Sequence, residues 1–273
     1  MPAPRVYKAE GIVLKGRELG EADRIVTLLT PTYGKLRAVA KGVRKPRSRL
    51  AGHLEPLTRV AILVAHGQSL DIIAQAQTIE SFRPLREDLW RASCGLYLAE
   101  LVDRFTVEGA ESEPVYKLLL ETLTRLALAL PAKEGRESRP AGMSAAAGLL
   151  RSFEVELLDH LGYRPELGQC IACRRALEPV ENYFSSSAGG MACPACRYQV
   201  GRTRPVTVDA LKVLRLLQRR DATTLGRLRL GRELASELEL LLREYIAYIL
   251  ERDVHSTAFL DRLRREEAAS SRG

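Results

Sequence analysis

Cys170, Cys173, Cys193 and Cys196 form two Cys-x2-Cys pairs separated by nineteen residues. A thiolate is a soft, strongly donating ligand, and two of them at this spacing reach one metal ion through a tight turn. Four complete a closed tetrahedral shell, which suits structural Zn2+ and leaves no open position for a reactive water. The expected role is to staple a segment that lacks a core of its own. Arg174, Arg175 and Arg197 stand beside the cysteines and would offset the charge of a four-thiolate centre. An iron–sulfur cluster could use the same thiolates. A redox dithiol needs only one such pair, next to a βα unit that this stretch lacks. The fifth cysteine, Cys94, falls on an apolar helical stripe and reads as a small core residue.

Lys35, Arg37, Lys41, Arg44, Lys45, Arg47 and Arg49 lie within fifteen residues that contain no Asp or Glu. Residues 41–49, KGVRKPRSR, read as a mobile loop after a strand, and such a loop can follow phosphates with little geometric demand. A solvated charge run is the plain alternative. Residues 1–80 hold thirteen Lys and Arg against seven Asp and Glu, so most of the net charge of +8 is concentrated here. That excess points to an anionic partner, nucleic acid or an acidic membrane surface. Tyr7 and Tyr33 are the only Phe, Trp or Tyr residues in this region. Binding is therefore expected to be electrostatic, sequence-independent and salt-sensitive, and to leave base edges free for pairing.

No catalytic constellation accompanies these features. Gly-x4-Gly-Lys-Ser/Thr, His-Glu-x2-His and Gly-x-Ser-x-Gly are missing, so neither nucleotide hydrolysis nor the common hydrolytic chemistries are indicated. His53, His66, His160 and His255 are scattered and are expected at the surface or at helix ends. The acidic residues show no nuclease-like clustering. The chain is not expected to be an enzyme.

Two kinds of element must position the cysteines and the basic run. Residues 7–15, 25–30, 36–40, 60–65 and 70–78 are five strand-compatible runs punctuated by Gly20, Gly34, Gly42, Gly52 and Gly67. In the last run Leu70, Ile72, Ala74 and Ala76 share one face. Five strands in this length suit a small closed barrel, with an open meander packed on helices as the alternative. After Pro84 the period becomes helical. Cys94, Tyr97, Leu98, Leu101, Val102 and Phe105 make one stripe, with Trp90 as a packing anchor near its start, and Val115, Leu118, Leu119, Thr122, Leu126 and Leu130 make another. Residues 131–144 read as a loop and 145–161 as a helix stopped by Gly162. Residues 163–205 lose periodicity and hold the four cysteines. Helices return over 208–219, along Leu234, Leu238, Leu241, Leu242, Tyr245 and Ile249, and over 256–265. The tail from 266 is expected to fray.

The expected organisation is α+β: a β domain over 1–82, then a helical domain over 83–273. The cysteine module, about 166–204, is inserted between helices and packs on them. Hydrophobic residues make up 46% and charged residues 28%, enough for a folded core. No run reaches the length of a membrane span, and residues 1–10 lack the apolar centre of a leader. The expected location is the cytoplasm, where thiols stay reduced.

The run GEADRIVTLLTPTYGKLRAVAKGVRKPRSRLAGHLEPL is similar to the N-terminal signature of the RecO family. Its features are Glu21 and Asp23 before a strand, Thr30 and Gly34 in a turn, Val39–Gly42 with Arg44, then Ser48 and Leu54–Pro56. VYKAEGIVLKGRELGE before it, and the helices, cysteines and YIAYILERDVHSTAFL after it, resemble the rest of the family over about residues 5–265. The resemblance implies an OB-fold barrel followed by a helical domain with a zinc module. It implies binding of single- and double-stranded DNA, annealing of complementary strands, and work with RecR in loading RecA onto DNA covered by single-strand-binding protein. It implies structural zinc and phosphate contacts at Lys35, Arg37, Lys41, Arg44 and Lys45. It also implies a groove in the helical domain for the tail of the single-strand-binding protein, a nucleoid-associated setting, and RecF as a further candidate partner. An RNA-binding or ribosome-associated OB-fold zinc protein is the alternative reading of the same charge and cysteines.

Overall fold

The computed structural model describes residues 6–128, 138–220, 230–251, 260, 262 and 263, with the side chains of 138–145 set aside. Five strands open the chain: β1 (Val6–Leu19), β2 (Asp23–Thr30), β3 (Gly34–Ala40), β4 (Arg59–Ala65) and β5 (Asp71–Glu80). They close into a barrel in the order β1-β2-β3-β5-β4. Every pairing is antiparallel except β3 with β5. This is the five-stranded barrel of the OB-fold, so closure and not the open meander removes the sheet edges.

Closure needs one strand to serve two neighbours. The first half of β1 pairs with β4 and its second half with β2, and the register slips between Val13 and Lys15 where the strand bends. Opposite Leu63 and Val64 of β4, β5 carries an extra residue, Ala74, which changes its inward face. Ile73 is the buried residue there, with Ala76 packed beside it, whereas simple alternation points Ile72 and Ala74 inward. The barrel core joins Val13, Val26, Leu28, Ala38, Val60, Ile62 and Val64 to two residues from the β3–β4 connection, Val43 and Leu54. The basic loop is thus rooted in the barrel interior.

The first compact unit extends beyond the barrel, through residue 128. It adds α1 (Arg83–Arg86), α2 (Leu89–Phe105) and α3 (Glu113–Leu128). Asp88 starts α2 by accepting a hydrogen bond from the Arg91 amide, 2.8 Å, which satisfies one orphan donor of the first turn. Cys94, Tyr97, Leu98, Leu101 and Val102 are buried along α2, and Val115, Leu118, Leu119, Thr122 and Leu126 along α3. Leu130 lies outside the described residues. Polar contacts tie these helices to the barrel. The Tyr116 hydroxyl donates to the Glu10 carboxylate, which also pairs with Arg59, and Asp103 receives both Lys15 and Lys35.

The second unit covers residues 129–253. It contains α4 (Ser138–His160), a three-stranded sheet ordered β7 (Gly190–Ala192), β6 (Asn182–Ser185), β8 (Arg204–Val206), then α5 (Val208–Arg219) and α6 (Arg232–Leu250). The helix α4 begins at Ser138, inside the stretch read above as a loop. Pro140 does not prevent this, because it falls in the first turn, where a missing N–H costs no helical bond. Gly162, at φ +80°, closes the far end as expected. Leu238, Leu241, Leu242 and Tyr245 are buried along α6, while Leu234 and Ile249 are half-buried. Of the expected helix at 256–265, Leu260, Arg262 and Leu263 are helical and group with the first unit. His255 and the tail lie outside the described residues. Among the described residues no helix is long and apolar enough to cross a membrane.

Candidate functional site

The cysteine module is built from two knuckles brought together by the small sheet. In the first, the Arg174 amide donates to the Cys170 carbonyl, 2.9 Å, and the Cys170 amide donates to the Arg175 carbonyl, 2.8 Å. Arg174 takes a left-handed conformation, φ +63°, which turns the chain back so that Cys170 and Cys173 converge. In the second, the Cys196 amide donates to the Cys193 carbonyl, 3.0 Å, across a single 3-10 turn begun by Pro194. The Ile171 amide donates to the Met191 carbonyl and the Met191 amide to the Glu166 carbonyl, both 2.9 Å. These bonds fasten the first knuckle to β7, the strand that runs into Cys193. Gly190 makes the approach possible, since a Cβ there would lie 2.7 Å from Ile171 and 2.8 Å from the Glu166 carbonyl oxygen.

The result is a four-sulfur cluster. The Sγ atoms of Cys170, Cys173, Cys193 and Cys196 all lie within 4.8 Å of one another. Cys170 and Cys196 are buried, Cys193 is half-buried and Cys173 is exposed. Burial alone would raise the Cys170 thiol, but backbone N–H groups of Cys173, Cys193 and Ala172 together hold it down at about 6. Hydrogen bonding to Cys193, then burial and the contacts with Cys173 and Cys170, push Cys196 up to about 12. Four thiols this close cannot all ionise unless a cation joins them. The donor set therefore fits one soft metal ion held by four thiolates.

The module packs on the helices that flank it, as its position in the chain predicts. Arg215 Nε of α5 donates to the Leu167 carbonyl and Gln218 Nε2 to the Pro165 carbonyl, each 2.8 Å. Tyr245 of α6 donates to the Tyr163 carbonyl, 3.0 Å, and meets the Phe184 ring edge-on at 5.2 Å. Arg174 and Arg175 are exposed beside the cluster. Arg197 instead lies across two tyrosines, 5.1 Å from the Tyr183 ring centre and 4.3 Å from that of Tyr198.

The seven cations expected to face an anionic partner fall into two groups. Lys35 is largely covered, its Nζ donating to the Asp103 carbonyl at 2.6 Å with the Asp103 carboxylate at 3.5 Å. Arg37 pairs with Glu108 at 3.0 Å. Lys41, Arg44, Lys45, Arg47 and Arg49 are all exposed on the β3–β4 connection. Arg44 binds Glu18 at 3.1 Å and the carbonyls of Gly20 and Glu21 at 3.2 Å. Among the described residues no ion pair holds Lys41, Lys45, Arg47 or Arg49. The loop that carries them is tied down, which its glycine and proline content did not suggest. The Gly42 amide donates to Asp23, the Arg44 amide to the Ala22 carbonyl, and the Ser48 amide to the Lys45 carbonyl. One connection of the barrel thus presents four cations with no ion-pair partner among the described residues, on a fixed root.

Sequence reasoning missed the acidic partners Asp103 and Glu108, which carry no local signal because they pair across 68 and 71 residues. It also missed a small ring cluster on the barrel. Tyr7 lies 5.0 Å from Tyr33 and 5.1 Å from His66, and its hydroxyl donates to Asp71 at 2.7 Å.

Comparison with known proteins bears on both halves. The family model for the recombination protein O N terminus matches residues 4–82, and that for its C terminus matches residues 86–258. A DNA repair protein RecO of Roseiflexus sp. (strain RS-1) is 42% identical over 268 residues, covering 98% of this chain and 89% of that protein. Another, of Dehalococcoides mccartyi (strain CBDB1), is 38% identical over 265 residues, covering 97% of this chain and 98% of its own length. The chain belongs to the RecO family of DNA repair proteins.

The motif that resembles this family now has a physical account. Asp23 caps the turn at Gly42. The Thr30 hydroxyl donates to the Gly34 carbonyl at 3.0 Å and accepts from the Tyr33 amide at 2.9 Å, closing the β2–β3 turn. Ser48 accepts from the Leu50 amide, 3.3 Å, and Leu54 plugs the barrel. The RecO signature in this chain is largely the hardware that roots and orients the basic loop.

Proposed function

We propose that this chain is a recombination mediator that acts without catalytic chemistry of its own. It binds single- and double-stranded DNA through the barrel domain, residues 1–82, and anneals complementary strands. With RecR it helps RecA load onto DNA coated by single-strand-binding protein, whose tail docks in the helical domain, residues 83–273. RecF is a further candidate partner, and the setting is the nucleoid in the cytoplasm. The observation that carries this reading is the exposed set Lys41, Lys45, Arg47 and Arg49 on a pinned loop of an OB-fold barrel. Arg44 reinforces that set, and Lys35 and Arg37 stand behind it, reaching phosphate only by giving up Asp103 and Glu108. Such a grip holds phosphates and leaves bases free to pair.

Cys170, Cys173, Cys193 and Cys196 hold one structural Zn2+. When bound, the ion supplies a cross-link and no reactive ligand. The residues themselves set the two knuckles and pack the module on α5 and α6.

The test is annealing of two complementary oligonucleotides, each coated with single-strand-binding protein, in the absence of ATP. Acceleration by the protein is expected. Intact DNA binding without acceleration overturns the mediator step. A large preference for matched RNA would support the ribosome-associated reading instead.

A further inference from the structure

We infer that the cysteine module carries a second nucleic-acid contact, in which a base of single-stranded DNA stacks on the exposed ring of Tyr198. Tyr198 is 81% exposed, an unusual state for a large aromatic ring. It is not a loose side chain. Arg197 lies over its ring at 4.3 Å and contacts its hydroxyl, and the same guanidinium lies 5.1 Å from Tyr183 and donates to the Tyr183 hydroxyl at 2.9 Å. Tyr183 belongs to β6, paired on both edges, and Arg197 directly follows the Cys196 knuckle. One guanidinium thus joins Tyr183 to Tyr198 through both ring and hydroxyl contacts, while most of Tyr198 stays open to solvent. A base stacks on such a ring at little entropic cost, because its platform is already fixed.

The charge around Tyr198 suits a phosphate backbone. Residues 163–206 hold six arginines against three glutamates and no aspartate or lysine. Arg174, Arg175 and Arg202 are exposed. The glutamates are partly engaged within the protein: Glu166 accepts from the amides of Gly168 and Gln169, and Glu181 accepts from the Tyr183 hydroxyl at 3.1 Å. Glu178 is exposed. Of the remaining arginines, Arg204 pairs with Glu244 and Arg164 with Asp159. Cationic side chains beside one exposed aromatic ring are what a sequence-tolerant single-strand contact needs. A bare charge run would need no ring, and an acidic peptide would need no stacking.

This inference rests on the DNA-binding reading and adds a second place of contact to it, outside the barrel. The experiment is photocrosslinking of the full-length, metal-loaded protein to a single-stranded oligonucleotide containing 5-iododeoxyuridine, with the adduct mapped by mass spectrometry. Anisotropy titrations with the same strand accompany it. A crosslink at Tyr198 is expected. Tyr198→Leu should weaken binding roughly tenfold while Tyr198→Trp keeps it, since stacking requires a ring. Metal content should stay unchanged in both, showing that the module remains folded. Crosslinks confined to the barrel, with Tyr198→Leu binding as well as the parent, overturn the inference and leave the barrel reading standing. Loss of binding to an acidic peptide but not to DNA in Tyr198→Leu also overturns it, in favour of protein docking. No DNA binding by the parent protein removes the earlier reading as well.

Discussion

Asp23 accepts a hydrogen bond from the Gly42 amide at 2.7 Å, joining the first residue of β2 to the root of the basic loop. Gly42 sits at φ +65°, where a side chain is strained, so the turn depends on this glycine and on its acidic cap together. Asp23→Ala should lower stability by about 1 kcal/mol, the usual worth of one such bond. It should also weaken DNA binding, because the loop cations lose their fixed root. Asp23→Asn keeps an acceptor and should recover most of both. Thermal unfolding and anisotropy on the three proteins check this, and a loop that needs no anchor would leave affinity unchanged in the alanine variant.

The two groups of cations should separate in salt titrations. Lys45, Arg47 and Arg49 are exposed, and replacing all three with Ala should reduce the slope of log affinity against log salt by about 2, near 0.7 per lost phosphate contact on a single strand. Lys35 has only 13% of its side chain exposed and is held by Asp103. Lys35→Met should instead cost about 1–2 kcal/mol of stability and leave the slope nearly unchanged. A large slope change from Lys35→Met would show that this side chain leaves Asp103 for phosphate.

Local patterns carried much of this fold, and long-range pairings carried what the patterns missed. The strands were legible because glycines and alternating residues bound them, and the cysteine site because its spacing is itself the ligand geometry. The inward face of β5 was misjudged because β5 itself carries an extra residue, Ala74, between the partners of Leu63 and Val64, and strict alternation fails across it. The basic loop read as mobile because its anchor, Asp23, lies nineteen residues upstream and looks like any surface acid. Residues 138–144 read as a loop because Pro140 and Gly142 are breakers inside a helix, and the pattern did not say that the helix starts there. The contacts of Arg197 were only half legible, since Tyr198 is its next residue but Tyr183 comes from β6.

Gly34 should be the least replaceable residue of the β2–β3 turn. It takes φ +60°, and a Cβ at that position would lie 1.8 Å from the Ala110 carbonyl oxygen. Backbone has nowhere to yield, so Gly34→Ala combines conformational strain with a clash and should cost about 2–4 kcal/mol. Gly20, also at positive φ but with open space around it, should cost only about 1 kcal/mol on the same change. Urea unfolding of the two variants provides the comparison, and equal losses would mean that the contact with the residue 110 backbone is not maintained in solution.

Metal affinity should fall on acidification, and fall more steeply below about pH 6. Binding requires every cysteine as thiolate, so protons held by the metal-free cluster must be expelled. Cys196, pushed up to about 12, keeps its proton throughout the neutral range, whereas Cys170, held at about 6, has already lost its own at pH 7. Below about 6 the Cys170 proton must be displaced as well, which adds one proton to the binding equilibrium and raises its pH slope by about one. Competition with a chromophoric chelator between pH 5 and 8 reads both limbs, using about one zinc per chain as the starting load. Cys173→Ser, at the exposed corner of the cluster, should lose most of that load and lower the unfolding temperature of the second unit. A pH slope without a break near 6 would contradict the charge state assigned to this site, and iron in place of zinc would contradict the metal proposed for it.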